Sequence, residues 1–219
     1  KDYDKLNTKF ERISPVQSYR INDRLNETAQ VVVPLAKYIR DNVPEVESAI
    51  ATNESWDEYL SSDDDHVYKE QTGLIVPSEI FDMFSFKLLR GDKENVLDDP
   101  NSIVLSQKMA EKYFPGQDAM GKTIFDERKR KLRVTGIMED IPEQSSIQAN
   151  YLRSNSNLLK SRGDNWGNSS YEIFVLLKPN ANATTVSQKI EGVLQEFDKE
   201  FPLIEFVANE ENLAKAVSQ

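Results

Sequence analysis

The chain has 219 residues, 38% of them hydrophobic, and a formal charge of −10, from 37 Asp and Glu against 27 Lys and Arg. That length and apolar content suit a globular chain with a substantial core, while the acidic balance argues against nucleic acid and against an anionic membrane surface as partners. With no cysteine, disulfides and thiolate chemistry are excluded; no apolar run approaches the roughly 20 residues of a membrane helix, and no signal-peptide pattern is present.

In chain order, residues 1–33 are polar and extended in character, with Ile13, Val16 and Ile21 as strand anchors. Pro34 suits the first turn of a helix, where its missing N–H costs nothing; Leu35, Ile39, Val43 and Val46 carry the apolar stripe, and Pro44 predicts a break near Val43. Residues 50–56 read as a short strand, 61–65 as an acidic loop and 67–76 as strand-like. A short helix over 78–83 leads into an alternating stretch over 84–88, and 91–100 is charged and turn-rich.

Residues 102–105 form a compact predicted strand, followed by a helix over 107–114 with Ser106 as its N-cap and Pro115 and Gly116 as its stop. After Lys122 the pattern alternates on both sides of a charged turn at 127–130, as a hairpin does. Residues 143–148 are a loop, and 158–170 are polar with two glycines. Residues 171–177 (YEIFVLL), apolar on both faces, predict a central strand. A last long helix starts at Asn182 or Thr184/Thr185; Val186, Ile190, Val193 and Phe197 form its stripe, and Thr185 with Gln188 fits a capping box. Helices and strands interleave without repeated parallel units, so the class is α+β.

One motif carries the letters of nucleotide chemistry. GQDAMGKT places Gly116, Gly121, Lys122 and Thr123 in the G-x-x-x-x-G-K-[ST] pattern. A phosphate loop needs a buried strand before it and a helix starting at the Lys-Thr, so that loop N–H groups and the helix N-terminus wrap the anion. Here a helix precedes and a strand follows. The match is a decoy.

A second set of short segments points elsewhere. FDMFSFKLLRG over 81–91, PNSIVLS over 100–106, AEKYF over 110–114 and GKT over 121–123 come in one order, followed by VTGI over 134–137 and DIP over 140–142. Tyr3 to Lys5, Pro34 to Val46, WGN over 166–168 and the final strand and helix extend the series to about Phe197. The set resembles the extracytoplasmic domain of ABC-transporter permeases related to MacB and FtsX, in the form associated with Bacteroidetes-type bacteria. The resemblance implies two subdomains: a porter-like lobe from residues 1–91 and 157–219, and an inserted sheet-and-helix lobe over 92–156. It also implies a non-catalytic, periplasmic domain of an inner-membrane protein, whose parent works as a pair with a cytoplasmic ATPase and meets a periplasmic adaptor or substrate. A chain that begins at Lys1 without methionine is expected to be an excised or processed fragment, either a piece cut between two membrane helices of such a parent or an ordinary mature domain. The competing readings are a secreted or surface binding module for a peptide, lipid or glycan, and an enzyme built on the Gly116–Thr123 loop.

Other candidate sites read as ordinary surface or core. His66, the only histidine, follows Asp63, Asp64 and Asp65, a set that could hold a metal but is better read as a solvated loop. Glu139 and Asp140 suit a charged strand exit better than acid–base work, and Asp118 and Lys122 suit loop capping. Phe81, Phe84 and Phe86 read as core rather than as a binding patch. The sequons at Asn26, Asn53, Asn168 and Asn182 carry no meaning in a bacterial protein, which the resemblance suggests. No catalytic, cofactor-binding or metal-binding residue is assigned, and no cofactor is expected.

Overall fold

The structure is a computed structural model that describes residues 9, 12–16, 18–22, 24–28, 31–55, 57–63, 66–143, 145, 147–162 and 169–197. In chain order the elements are β1 (Ile13–Val16), β2 (Ser18–Asn22), β3 (Arg24–Thr28), β4 (Val31–Val32), α1 (Pro34–Asn42), β5 (Val46–Ser55), β6 (Glu58–Ser61), β7 (Val67–Glu70) and β8 (Gly73–Val76). They continue with α2 (Ile80–Met83), β9 (Leu88–Arg90), β10 (Ser102–Ser106), α3 (Gln107–Tyr113), β11 (Thr123–Phe125), β12 (Lys131–Met138), β13 (Tyr151–Ser154), α4 (Ser156–Arg162), β14 (Ser169–Leu177) and α5 (Ala183–Phe197). The class is α+β.

The described chain divides into two compact units, residues 52–160 and residues 9–51 with 161–197. The second is built from both ends of the sequence. Its sheet has β14 in the interior, with β1 antiparallel on one side from Ile13 opposite Leu176 to Val16 opposite Ile173, and β5 on the other. β4 also pairs with β14. Helix α1 opens at Pro34 and ends at Val43, whose N–H returns to the Ile39 carbonyl, so the break comes just before Pro44. Leu35, Ala36 and Ile39 are buried on it, as are Val186 and Ile190 on α5. Asn182 caps α5, accepting from the Thr185 N–H at 3.0 Å. Val193 and Phe197, expected on the same stripe, have side chains outside the described residues. Strands β2 and β3 make a separate hairpin.

In the 52–160 unit the end of β5 begins a sheet that continues β8, β13, β10, β12, β11, β6, β7, with β9 on the far end of β12. The β10–β12 and β8–β13 pairs are parallel and the others antiparallel. β10 is buried at all five residues and runs without a loop into α3, where the Ser106 hydroxyl accepts from the Met109 N–H at 3.2 Å. Met109 and Tyr113 of α3 close over Leu60, Ile103, Ile124 and Leu132. The inserted lobe read from the sequence begins at residue 92, whereas this unit begins at residue 52, because β6 and β8 take their partners from β11 and β13.

Candidate functional site

The Gly116–Thr123 loop lies between α3 and β11, the reverse of a phosphate-loop context. Gly116 (φ +64°) and Gly121 (φ +75°) are both left-handed, with open space where a Cβ would sit, so it is the backbone conformation of the turn that favours glycine here. Five of the loop's amides have acceptors within the protein. Gly116 N–H donates to Glu111 Oε1 (3.0 Å), Gln117 N–H to the Phe114 carbonyl (3.0 Å) and Met120 N–H to Asp118 Oδ1 (2.9 Å). Gly121 N–H donates to the Val134 carbonyl (2.8 Å) and Lys122 N–H to that of Ala119 (3.1 Å). An anion cradle needs those donors converging and unspent.

Lys122 Nζ bonds to Gln117 Oε1 and stands 5.0 Å from the Phe114 ring centre. Asp118 receives both guanidinium nitrogens of Arg90, at 2.7 and 3.0 Å, which fastens the loop to β9. Arg90, then the Met120 N–H, holds the Asp118 carboxyl below its ordinary range. The depression beside this pair has a volume of about 190 Å³ and includes Arg90, Gln107, Glu111 and Asp118 in its lining. Its charges are already paired or face solvent, and no nucleophile and base meet there.

The polar groups most deeply embedded in this unit lie elsewhere, in two networks the sequence reading did not single out. In the first, Arg153 on β13 bonds to Glu58 on β6, and its other terminal nitrogen is 3.8 Å from Asp126 Oδ2. Tyr151 Oη donates to Glu58 Oε2 at 2.9 Å, and Ser55 Oγ does so at 2.8 Å. Asp126 accepts from the backbone N–H groups of Arg128 (3.0 Å) and Arg130 (2.9 Å) and from Arg130 Nε (2.6 Å). Burial opposes its charge, but those donors prevail and keep the carboxyl below its ordinary range. Burial first, and the nearby Glu58, push the Tyr151 phenol well up. In the second network, Glu70 on β7 takes Lys112 Nζ at 2.6 Å and Tyr113 Oη at 2.8 Å, while Lys112 lies 4.4 Å from the centre of the Tyr68 ring. Both networks join β6 or β7 to the body of the sheet.

Over residues 5–193 the chain matches the family described as MacB-like periplasmic core domain. It belongs to that family. Among solved structures it is similar to a domain of a Porphyromonas gingivalis protein described as a candidate permease, with TM-score 0.76 at 23% identity, covering 95% of this chain and 97% of that one. It is also similar to the periplasmic region of MacB from Actinobacillus actinomycetemcomitans, with TM-score 0.68 at 16% identity, covering 95% and 93%. A third is the extracellular domain of the noncanonic ABC-type transporter YknZ from Gram-positive bacteria, with TM-score 0.64 at 14% identity, covering 89% and 100%. These three likenesses concern the fold. No curated protein sequence matches the chain.

The remaining sequence candidates of this MacB-like domain find local structural partners. His66 Nδ1 lies 2.9 Å from Asp63 Oδ1 on an exposed loop, and Asp64 and Asp65 are outside the described residues. Among the described residues no group of three or more His, Cys, Asp or Glu could hold a metal ion. Asp140 Oδ1 accepts from the Lys108 N–H at 3.0 Å in the first turn of α3, and the Glu139 N–H donates to the Lys87 carbonyl at 2.9 Å. Phe81 is buried, whereas Phe84 and Phe86 stack half-buried with ring centres 5.7 Å apart. Of the sequons, Asn26 lies in β3, Asn53 in β5, Asn182 caps α5, and Asn168 is outside the described residues. No helix among the described residues is long and apolar enough to cross a membrane.

Proposed function

We propose that this MacB-like domain is the non-catalytic extracytoplasmic part of an ABC-type permease subunit, which passes ATP-driven movement of membrane helices to a substrate or partner outside the membrane. The family match over residues 5–193 carries this reading. A separate cytoplasmic ATPase supplies the energy, the parent permease works as a pair, and a periplasmic adaptor or substrate receives the motion. The unit built from both chain ends is the porter-like part, and the 52–160 unit is the inserted one. Such a role requires two packings that exchange as bodies, and not a pocket with reactive groups. The helix-before, strand-after setting of the Gly116–Thr123 loop, with five of its amides already bonded within the protein, agrees with a role that uses no nucleotide on this domain.

The parent reading frame tests the proposal. Membrane-spanning helices should flank this segment on both sides, and the full-length protein should co-purify with an ATPase subunit. An uninterrupted soluble frame overturns it. Titration of magnesium–ATP into the 219-residue chain should give no binding heat; micromolar affinity abolished by Lys122→Ala would restore the nucleotide reading.

A further inference from the structure

The β1–β14 ladder has an unusual mechanical position. Ile13 faces Leu176 in antiparallel register, so the chain arriving at β1 and the chain departing from β14 emerge side by side at one edge. A force that separates those two segments opens the ladder from its end, one pair at a time, which is the least resistant way to load a sheet. Arg12 stands at that opening. Its Nη1 donates to the Leu177 carbonyl at 2.8 Å and to Glu47 Oε2 at 2.7 Å. Glu47 is on β5, and β5 lies on the other side of β14 from β1, so one side chain crosses the ends of three consecutive strands.

Neighbouring bonds reinforce the same place. Lys9 Nζ is 3.6 Å from Glu47 Oε1, the Lys178 N–H donates to the Glu45 carbonyl at 2.8 Å, and Lys189 of α5 bonds to the Glu45 carboxylate. Arg12 and Glu47 are about one-quarter and two-fifths exposed, so their pair adds little at equilibrium. A load applied at the mouth of the ladder reaches them before any β1–β14 pair.

We propose that Arg12 is a positioning residue: its staple across β1, β14 and β5 makes the arriving and departing segments move as one body, so that displacement of either is delivered to the sheet before the ladder peels. The source of that displacement rests on the permease reading; the staple itself does not. The experiment is single-molecule opening under constant force, with Lys9→Cys and Lys178→Cys as attachment points in a chain that has no cysteine of its own. Arg12→Ala should speed the first opening step roughly fivefold at fixed load, with the melting temperature moved by no more than about 2 °C. Glu47→Gln, which keeps an acceptor but not its charge, should give a smaller acceleration and serves if Arg12→Ala does not fold. Lys69→Ala removes a more exposed ion pair with Asp57, away from the load path, and should leave the opening step unchanged. Equal opening rates in Arg12→Ala and the parent overturn the staple, as does an equal acceleration from Lys69→Ala. Neither result bears on the permease reading, which the parent reading frame decides.

Discussion

The two units solve the same problem of holding a sheet together with opposite placement of their polar groups. Among the described residues, every buried polar or charged one (Thr52, Ser61, Glu70, Ser78, Ser102, Ser106, Asp126, Ser154 and Asn155) belongs to the 52–160 unit. The unit built from both chain ends buries apolar side chains such as Leu35, Ile39, Ile173 and Ile190, and keeps the Arg12–Glu47 and Lys189–Glu45 pairs partly exposed. A buried pair adds little net stability over apolar packing, but it punishes the loss of either partner and restricts which strands can sit together. The first unit is therefore fixed by its polar partners and the second by shape and volume.

Single substitutions can break that contrast. Arg153→Met, which leaves Glu58 embedded without its cation, should destabilise the 52–160 unit by about 3–5 kcal/mol in a urea melt. Lys189→Met at the partly exposed pair should shift the melting temperature by no more than about 2 °C. Similar effects from the two changes would end the distinction. In the other unit, Ile190→Ala should cost about 2–4 kcal/mol through the cavity alone. Gly73→Ala should cost about 1–3 kcal/mol, because a Cβ there would overlap the Tyr151 ring and push its hydroxyl from Glu58. Tyr151→Ala in the same chain should remove that penalty in a double-mutant cycle.

Acid should also act on the Asp126 network. The Asp126 carboxyl is held below its ordinary value of 3.8, so the folded chain binds fewer protons there than the unfolded one. Its contribution is complete above that value and is lost as the pH falls through the lower, folded one. Asp126→Asn should accordingly flatten the fall of melting temperature with pH below about 4; an unchanged slope would show that the carboxyl does not support the fold. The smallest effect is expected at the decoy loop. Gly121→Ala should cost about 1 kcal/mol from its left-handed backbone, and Lys122→Ala should do less than half of that.

Sequence reasoning reached the parts of this fold that local chemistry decides. Ser106 caps α3, Pro34 opens α1, and the apolar run at Tyr171 to Leu177 lies in the interior strand β14. The stretch over 84–88 alternates, but Ser85 has φ +55° and turns the chain, so Phe84 and Phe86 stack and only Leu88–Arg90 pairs with β12. β13 was missed because four half-polar residues carry no period of their own; β8 and β10 define it by pairing on its two sides. α4 was missed within a polar stretch that shows no apolar stripe. The networks were invisible for a related reason. Arg153 and Glu58 are 95 positions apart, and only pairing through β11 and β6 brings Asp126 beside them. Asp126 with Arg130 four residues on, and Ser55 with Glu58 three on, were the local traces of them.

The contact between Gly73 and Tyr151 also has a bearing on how this sequence can drift. The two are paired residues of parallel strands, and the space over one is filled by the ring of the other. A larger side chain at 73 is tolerable only in a lineage that has already given up the tyrosine, and loss of the tyrosine strips Glu58 of a donor. The three positions therefore form an epistatic set whose substitutions are ordered in time: the tyrosine must go before residue 73 can grow, and residue 73 must return to glycine before the tyrosine can.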